Sequence, residues 1–371
     1  MKIGQITLKA EEAAIFRLRE LYGQYGYTQY KMSKFEEYDL YVRNKSFLIS
    51  DSVITFTDTN GKLMALKPDV TLSIVKHSRV TPGTVQKVYY NENVYRISGR
   101  SRDFREIMQV GLECLGDIDG YCLGEVLSLA EKSLSCISDR YILDVSHQGL
   151  LSLLLDRIGI SPAGRRKLVD SLAHKSLHDA DEVLREEGIP SERARLLASL
   201  NACSGEVGAA IQRLYTLFDD GEWQSAVRAF ENALSALPTD HVRIDFSPVN
   251  DMRYYNGIVF QGYVEGIPES ILSGGQYDNL MQRMEKRAGA VGFAVYLDQL
   301  EGLGSAQKDF DVDTLLIYDQ DTPATAVRRA VDACIAEGVS VTAQKTIPER
   351  LKYRRLLKIT ESGVESLEAN A

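Results

Sequence analysis

The stretch Val88–Gly116 constrains this chain most. It holds two extended runs on either side of a polar turn, Ser98–Arg105, that carries three arginines and a glycine. The first run, Val85–Ile97, is rich in Val and Tyr, which favour strands. The return run alternates. Gln109, Gly111 and Glu113 fall on one face, while Val110, Leu112 and Cys114 fall on the other. Such a hairpin commits its neighbourhood to an antiparallel sheet with one apolar face. With Arg96 closing the outgoing run, the polar face offers a cation, an amide and a carboxylate together. A solvated sheet face and a seat for a small zwitterionic ligand both satisfy the pattern.

The rest of the chain organises around that hairpin. Apolar residues from Ala10 to Tyr22 recur at helical spacing, and Gly26 closes the segment. The segment YTQYKMSKFEEYDLY reads as a strand running into acidic and aromatic residues. Its Lys31-Met32-Ser33-Lys34 only superficially matches a synthetase lysine loop, since no His-rich phosphate motif precedes it. Asp58-Thr59-Asn60-Gly61 between two extended runs signals a second hairpin. In Leu66–Thr71, Pro68 keeps Lys67 out of the helical region, and Asp69 with Thr71 opens a helix. Asp69 is either a helix cap alone or a cap that also faces a cleft. Residues 121–135 read as helix and 141–146 as strand; from about 147 to 238 the pattern is almost wholly helical, an insertion.

Strands resume at His241–Phe246. In DMRYYNGIVFQGYVEG, alternation puts Tyr255, Gly257 and Val259 on one face and Tyr254, Ile258 and Phe260 on the other. Gly274-Gly275 marks a close backbone approach. GAVGFAVYLDQLEGL reads as a glycine-punctuated strand or turn running into an amphipathic helix. After residue 305 the composition changes, and residues 309–371 read as a small α/β unit: strand, helix, strand, then a helix-to-strand passage in ERLKYRRLLKITESG.

Composition excludes several classes. With 43 basic and 52 acidic residues among 371, the net charge of -9 argues against a broad nucleic-acid footprint. No apolar run approaches the ~18 residues of a membrane span, and no signal peptide is apparent. The five cysteines show no CxxC pair and read as reduced thiols of a cytoplasmic protein. His174 and His178 share metal-ligand spacing but lack a third ligand, so no metal is expected, and no cofactor.

Five blocks in order resemble histidyl-tRNA synthetase, a class II synthetase, over most of residues 1–305. LKPDVT is similar to its RPEGT-type loop, and VYRISGRSRDFREIMQVGLECLG to motif 2. RYYNGIVFQGY is similar to the histidine-specific block, ILSGGQYDNL to the GGRYD element, and VGFAVYLDQL to motif 3. The resemblance implies an α+β fold, a class II aminoacyl-tRNA synthetase-like antiparallel sheet flanked by helices. It also implies a helical insertion and, after it, a truncated anticodon-binding-like unit lacking the last strands and helix.

The departures concern ATP chemistry, which needs fixed cations for the charge that develops on phosphate. Arg96 matches the motif 2 arginine. Ser98 stands where a glutamate follows it, Asn250 replaces an arginine of the histidine block, and Gln299 replaces the motif 3 arginine. Ser33 takes the motif 1 proline position. The amino-acid pocket is largely kept, by resemblance: Asp69, in place of the family's glutamate and one methylene shorter, with Thr71 and Gln109 at the α-ammonium, Arg96 at the carboxylate, Glu113 at the imidazole N–H, and Tyr255 and Tyr277 around the ring. A carboxylate facing imidazole selects histidine, because an analogue lacking the N–H leaves the charge unpaired.

A synthetase-like chain with this pocket and no ATP chemistry resembles the regulatory subunits of ATP phosphoribosyltransferase. That resemblance implies a non-catalytic partner of a separate catalytic subunit at the first step of histidine biosynthesis, a homodimer within a hetero-octamer, and histidine as effector, without tRNA. An active histidyl-tRNA synthetase and a free-standing histidine-binding protein are the alternatives.

Overall fold

The computed structural model describes residues 9–45, 48, 53–97, 103–173, 176–235, 237–238, 240–246, 254–302, 310–360 and 362–369. The turn residues 98–102, His174, and residues 247–253 with Asn250 among them therefore lie outside the described residues. The chain forms two compact units, Met1–Gly304 and Ser305–Ala371.

The first unit opens with α1 (Ala10–Gln24), β1 (Thr28–Gln29), β2 (Phe35–Glu37) and α2 (Tyr38–Arg43). The hairpin β3 (Thr55–Thr57) and β4 (Leu63–Leu66) turns through Gly61, and α3 (Thr71–His77) follows. The long hairpin is β5 (Val85–Ile97) and β6 (Phe104–Gly116). Then come α4 (Gly120–Ser135), β7 (Tyr141–His147), α5 (Gln148–Ile158), α6 (Pro162–Ala173), α7 (Leu177–Glu186) and α8 (Ser191–Asn201). β8 (Gly205–Glu206), α9 (Val207–Leu217), α10 (Gly221–Leu234) and β9 (Val242–Ile244) bring the chain back to the sheet. β10 (Ile258–Val264), β11 (Leu272–Gln276), α11 (Asp278–Arg283) and β12 (Gly289–Tyr296) complete it.

Nine strands form the main sheet in the order β1-β5-β6-β12-β11-β10-β7-β9-β8. Its pairs are antiparallel except β1–β5 and β7–β9. Alternation separates the two faces. Val110, Leu112 and Cys114 join Phe293, Phe260 and Val145 on a mainly apolar face. Helices α1, α4, α5 and α10 cover it. Tyr22 of α1 sets its ring 6.0 Å from that of Phe293 and pairs its hydroxyl with Ser133 of α4 at 3.0 Å, fixing one helix to sheet and neighbour together. The opposite face carries Glu92, Gln109, Glu113, Tyr296 and Ser273. It is not a solvated face at its centre, since Gln109 is 3% and Glu113 2% exposed.

Several helices begin where a side chain satisfies a free N–H group. Asp119 accepts from Cys122 N at 2.9 Å, and Asp220 from Trp223 N at 3.0 Å. His147 caps α5 through Nδ1, and burial pushes its imidazole down to about 4, so it is neutral there. In the insertion, Arg157 grips both carboxylate oxygens of Asp220 at 2.7 and 2.8 Å. Its guanidinium lies over Phe218 and Trp223.

Two expectations about chain direction need correction. LDQLEG forms a 3₁₀ turn over Leu297–Gly302 rather than an α-helix. In the second unit, β13 (Val312–Ile317), α12 (Ala324–Ala336) and β14 (Val341–Gln344) are followed by β15 (Tyr353–Thr360), with no helix in ERLKY. The run buries Leu356 against one face of the small sheet and Ile359 against the other while Arg354 and Arg355 reach carboxylates, and parallel pairing with β13 outweighs its helix propensity. A further strand, β16 (Gly363–Ala369), pairs antiparallel with β15, so this unit carries a closing strand that the sequence reading omits.

Trp223 is fully buried and donates its Nε1–H to the Leu214 carbonyl at 2.7 Å. Trp223→Ala is expected to lower stability by ~3–5 kcal/mol, read from urea unfolding by circular dichroism. The half-exposed Ile335→Ala serves as a near-neutral control.

Candidate functional site

Strand register assembles the site. Glu113 lies opposite Gly292 on β12 and Val88 on β5. Gly111 lies opposite Ala294 and Tyr90, and Gln109 opposite Tyr296 and Glu92. Gly275 of β11 is the next neighbour of Gly292. The floor beside Glu113 is thus mostly bare backbone, and it has to be. A Cβ on Gly292 would stand 1.8 Å from Glu113 Oε2, and one on Gly275 would stand 2.6 Å from the Tyr255 ring.

Two donors fix the Glu113 carboxylate. Thr71 Oγ1, at the start of α3, donates to Oε1 at 2.8 Å, and the Tyr277 hydroxyl donates to Oε2 at 2.5 Å. A carboxylate has about four lone-pair sites, so each oxygen keeps capacity for a further donor. Burial pushes the Glu113 carboxyl up to about 8, outweighing the two donors, and nearby Asp69 pushes the same way. Asp69 is itself raised by burial, although the Leu72 N–H and the Arg96 guanidinium oppose the shift.

The expected site residues converge in part. Thr71, Glu113 and Tyr277 are bonded to one another. Asp69 caps α3 by accepting from Leu72 N at 2.9 Å, and its charge is felt at Glu113. Tyr255 sits against Gly275 with its ring 4.6 Å from Tyr254. Gln109 is buried on the same face two positions from Gly111. Arg96 donates Nε–H to the Pro68 carbonyl at 3.0 Å, which ties the end of β5 to the loop before α3. Gln299 lies partly buried in the 3₁₀ turn after β12, and its amide oxygen has no hydrogen-bond partner among the described residues. His178 is exposed, and no cluster of three metal-ligating side chains occurs among the described residues.

Three participants escape the sequence reading. Tyr254 is not on the opposite face from Tyr255. β10 begins only at Ile258, so alternation does not reach back to it, and its ring lies 5.8 Å from Tyr277. Tyr90 belongs to the same face as Gly111; the period through Val88, Tyr90 and Glu92 was the available signal. Lys67 is fully buried and pairs with Glu92 at 2.5 Å. Nothing in LKPDVT marks that, because the lysine precedes a proline in a segment without period. A separate cavity of about 1290 Å³, at the far ends of β6 and β12, is lined by Arg79, Asp117, Asp278 and Lys286 and contains none of these residues.

A family model described as Histidyl-tRNA synthetase matches residues 5–300. An ATP phosphoribosyltransferase regulatory subunit from Oceanobacillus iheyensis is 27% identical over 293 residues, covering 77% of this chain and 72% of that protein. A histidine–tRNA ligase from Methanocaldococcus jannaschii is 26% identical over 306 residues, covering 81% and 73%. A crystal structure of an ATP phosphoribosyltransferase regulatory subunit/histidyl-tRNA synthetase from Bacillus halodurans C superposes with a TM-score of 0.74. It is 22% identical and covers 96% of this chain and 99% of its own, a likeness of fold.

The raised Glu113 carboxyl has a stability consequence. Unfolded, it titrates near the ordinary 4.5; folded, near 8. Its contribution is present below 4.5 and is lost as pH rises through 8, at up to about 1.4 kcal/mol per pH unit. Thermal melts of the wild type and Glu113→Gln are therefore expected to diverge between pH 5 and 8, the variant becoming relatively more stable, with no further divergence above 8.

Proposed function

The chain belongs to the histidyl-tRNA synthetase family, and we propose that it acts there as the non-catalytic regulatory subunit of ATP phosphoribosyltransferase. The coarse reading rests on relatives that carry that name. One observation carries the loss of synthetase chemistry. The motif 3 position, where a fixed cation would meet the nucleotide phosphates, holds the uncharged Gln299. Removing one such preorganised charge costs ~3–4 kcal/mol of transition-state stabilisation.

What remains is a binding pocket. Histidine would place its imidazole N–H at Glu113, between the Thr71 and Tyr277 donors, with Tyr254 and Tyr255 beside the ring. Asp69 would meet the α-ammonium, and Arg96 and Gln109 would complete the polar end. The buried Glu113 is held partly in reserve as a neutral acid, so a ligand N–H that favours the carboxylate draws a proton off it. Histidine binding is then coupled to proton release near neutral pH. As effector, histidine shifts the assembly toward whichever state holds this pocket in its binding form, and by no more than its difference in affinity for the two states. We place the chain as a homodimer within a hetero-octamer with the catalytic subunit, in the cytoplasm, without tRNA. Among the described residues no helix is long and apolar enough to cross a membrane.

Calorimetric titration tests the reading. Histidine is expected to bind, ATP to give no heat and no adenylate, and Glu113→Ala to weaken histidine roughly ten- to a hundredfold, the loss of a hydrogen bond to a charged group. Added to the catalytic subunit, the wild-type chain raises phosphoribosyl transfer, and histidine suppresses it. Adenylate formation would instead establish an active ligase, the reading favoured by the tRNA-ligase relative.

A further inference from the structure

Lys67 and Glu92 are two charges at the polar end of the site that the pocket described so far does not use. Lys67 has no exposed side-chain surface, while Glu92 keeps 16% of its side chain exposed. Withdrawing two charges from water is costly, and an apolar pair of the same volume is often at least as stable. The pair therefore calls for a role beyond holding the fold.

Its position supplies one. Glu92 faces Gln109 directly across the β5–β6 ladder and shares the face that carries Glu113. Lys67 belongs to the segment that also supplies Asp69, and the carbonyl of the intervening Pro68 holds Arg96. Two cations and two carboxylates thus gather at one end of the floor, a set complementary to an amino acid with both termini free. Within that set the carboxylates differ. Asp69 is buried and gives Oδ1 to the helix cap at Leu72. Glu92 is the more accessible, and Lys67 engages only its Oε2, leaving Oε1 for a further donor.

We propose that Glu92 is a second ligand-binding carboxylate that receives the α-ammonium together with Asp69, with Lys67 as the residue that positions it. This rests on the reading of the site as a histidine pocket. It makes the site selective for a free amino group: an imidazole compound without one leaves the Glu92 carboxylate unmatched, as a missing partner does at any desolvated polar group.

The test uses the full chain and three ligands. These are histidine, imidazolepropionate, which lacks the ammonium, and histidine methyl ester, which keeps it. Glu92→Gln is expected to weaken histidine and its methyl ester by about tenfold or more while leaving imidazolepropionate within about twofold. Since either single variant could disturb the buried pair, Lys67→Met/Glu92→Leu removes both charges together, and it is expected to melt like the wild type and show the same split. An unchanged histidine affinity, or an equal loss across all three ligands, overturns the assignment while leaving the histidine pocket standing. A wild-type chain that binds none of them overturns both.

Discussion

The desolvation of Glu113 is the constraint on which the site depends. A carboxyl buried in the middle of a sheet face needs space for its oxygens, donors for them and no competing side chain from the neighbouring strand. Gly292 supplies the space, and Thr71 and Tyr277 supply the donors from two different helix starts. Each of those helices is in turn positioned by its own link to the strands. Arg96 of β5 donates to the Pro68 carbonyl just before α3, and Asp278, the residue after Tyr277, accepts from Ala290 N of β12 at 2.8 Å. The pocket is therefore built from strand and helix ends that are locked to each other before any ligand arrives.

That arrangement is possible because the two faces of the sheet have different duties. Helices α1, α4, α5 and α10 bury the apolar face and supply most of the first unit's cohesion. The polar face is thereby free to hold residues chosen for charge rather than packing. The core lies on one side of the layer, so side chains on the polar side can differ without disturbing it. The helical insertion leaves the sheet after β7 and returns at the adjacent β9, which leaves the site strands β6, β12 and β11 uninterrupted.

Much of this was legible in the amino-acid order. The alternation of Gln109, Gly111 and Glu113 against Val110, Leu112 and Cys114 is a period-two pattern with an unambiguous reading, and β5 and β6 span the residues it implies. Asn60-Gly61 marked its turn for the same local reason, the left-handed φ of +78° at Gly61. Features set by distant partners were not legible. Tyr254 lies before its strand begins, where periodicity has no meaning. Residues 353–360 contain good helix formers, and only pairing with β13 selects the strand. The Lys67–Glu92 pair joins a loop to a strand, a contact that neither segment announces by itself.

The order of strands in the sheet also has a consequence in time. β6 pairs with β5 through a short turn, but its other neighbour is β12, which is made much later in the chain. Contacts between remote segments form late because closing a long loop must precede them. In a growing chain, Glu113 therefore stays in water as an ordinary ionised carboxylate until the helical insertion has been synthesised and β12 slots in beside β6. Only then does Gly292 close over it and the carboxyl take up a proton. The last central strand to join the sheet is the one that turns a surface acid into a buried one, so a nascent chain has no finished pocket until its first unit is nearly complete.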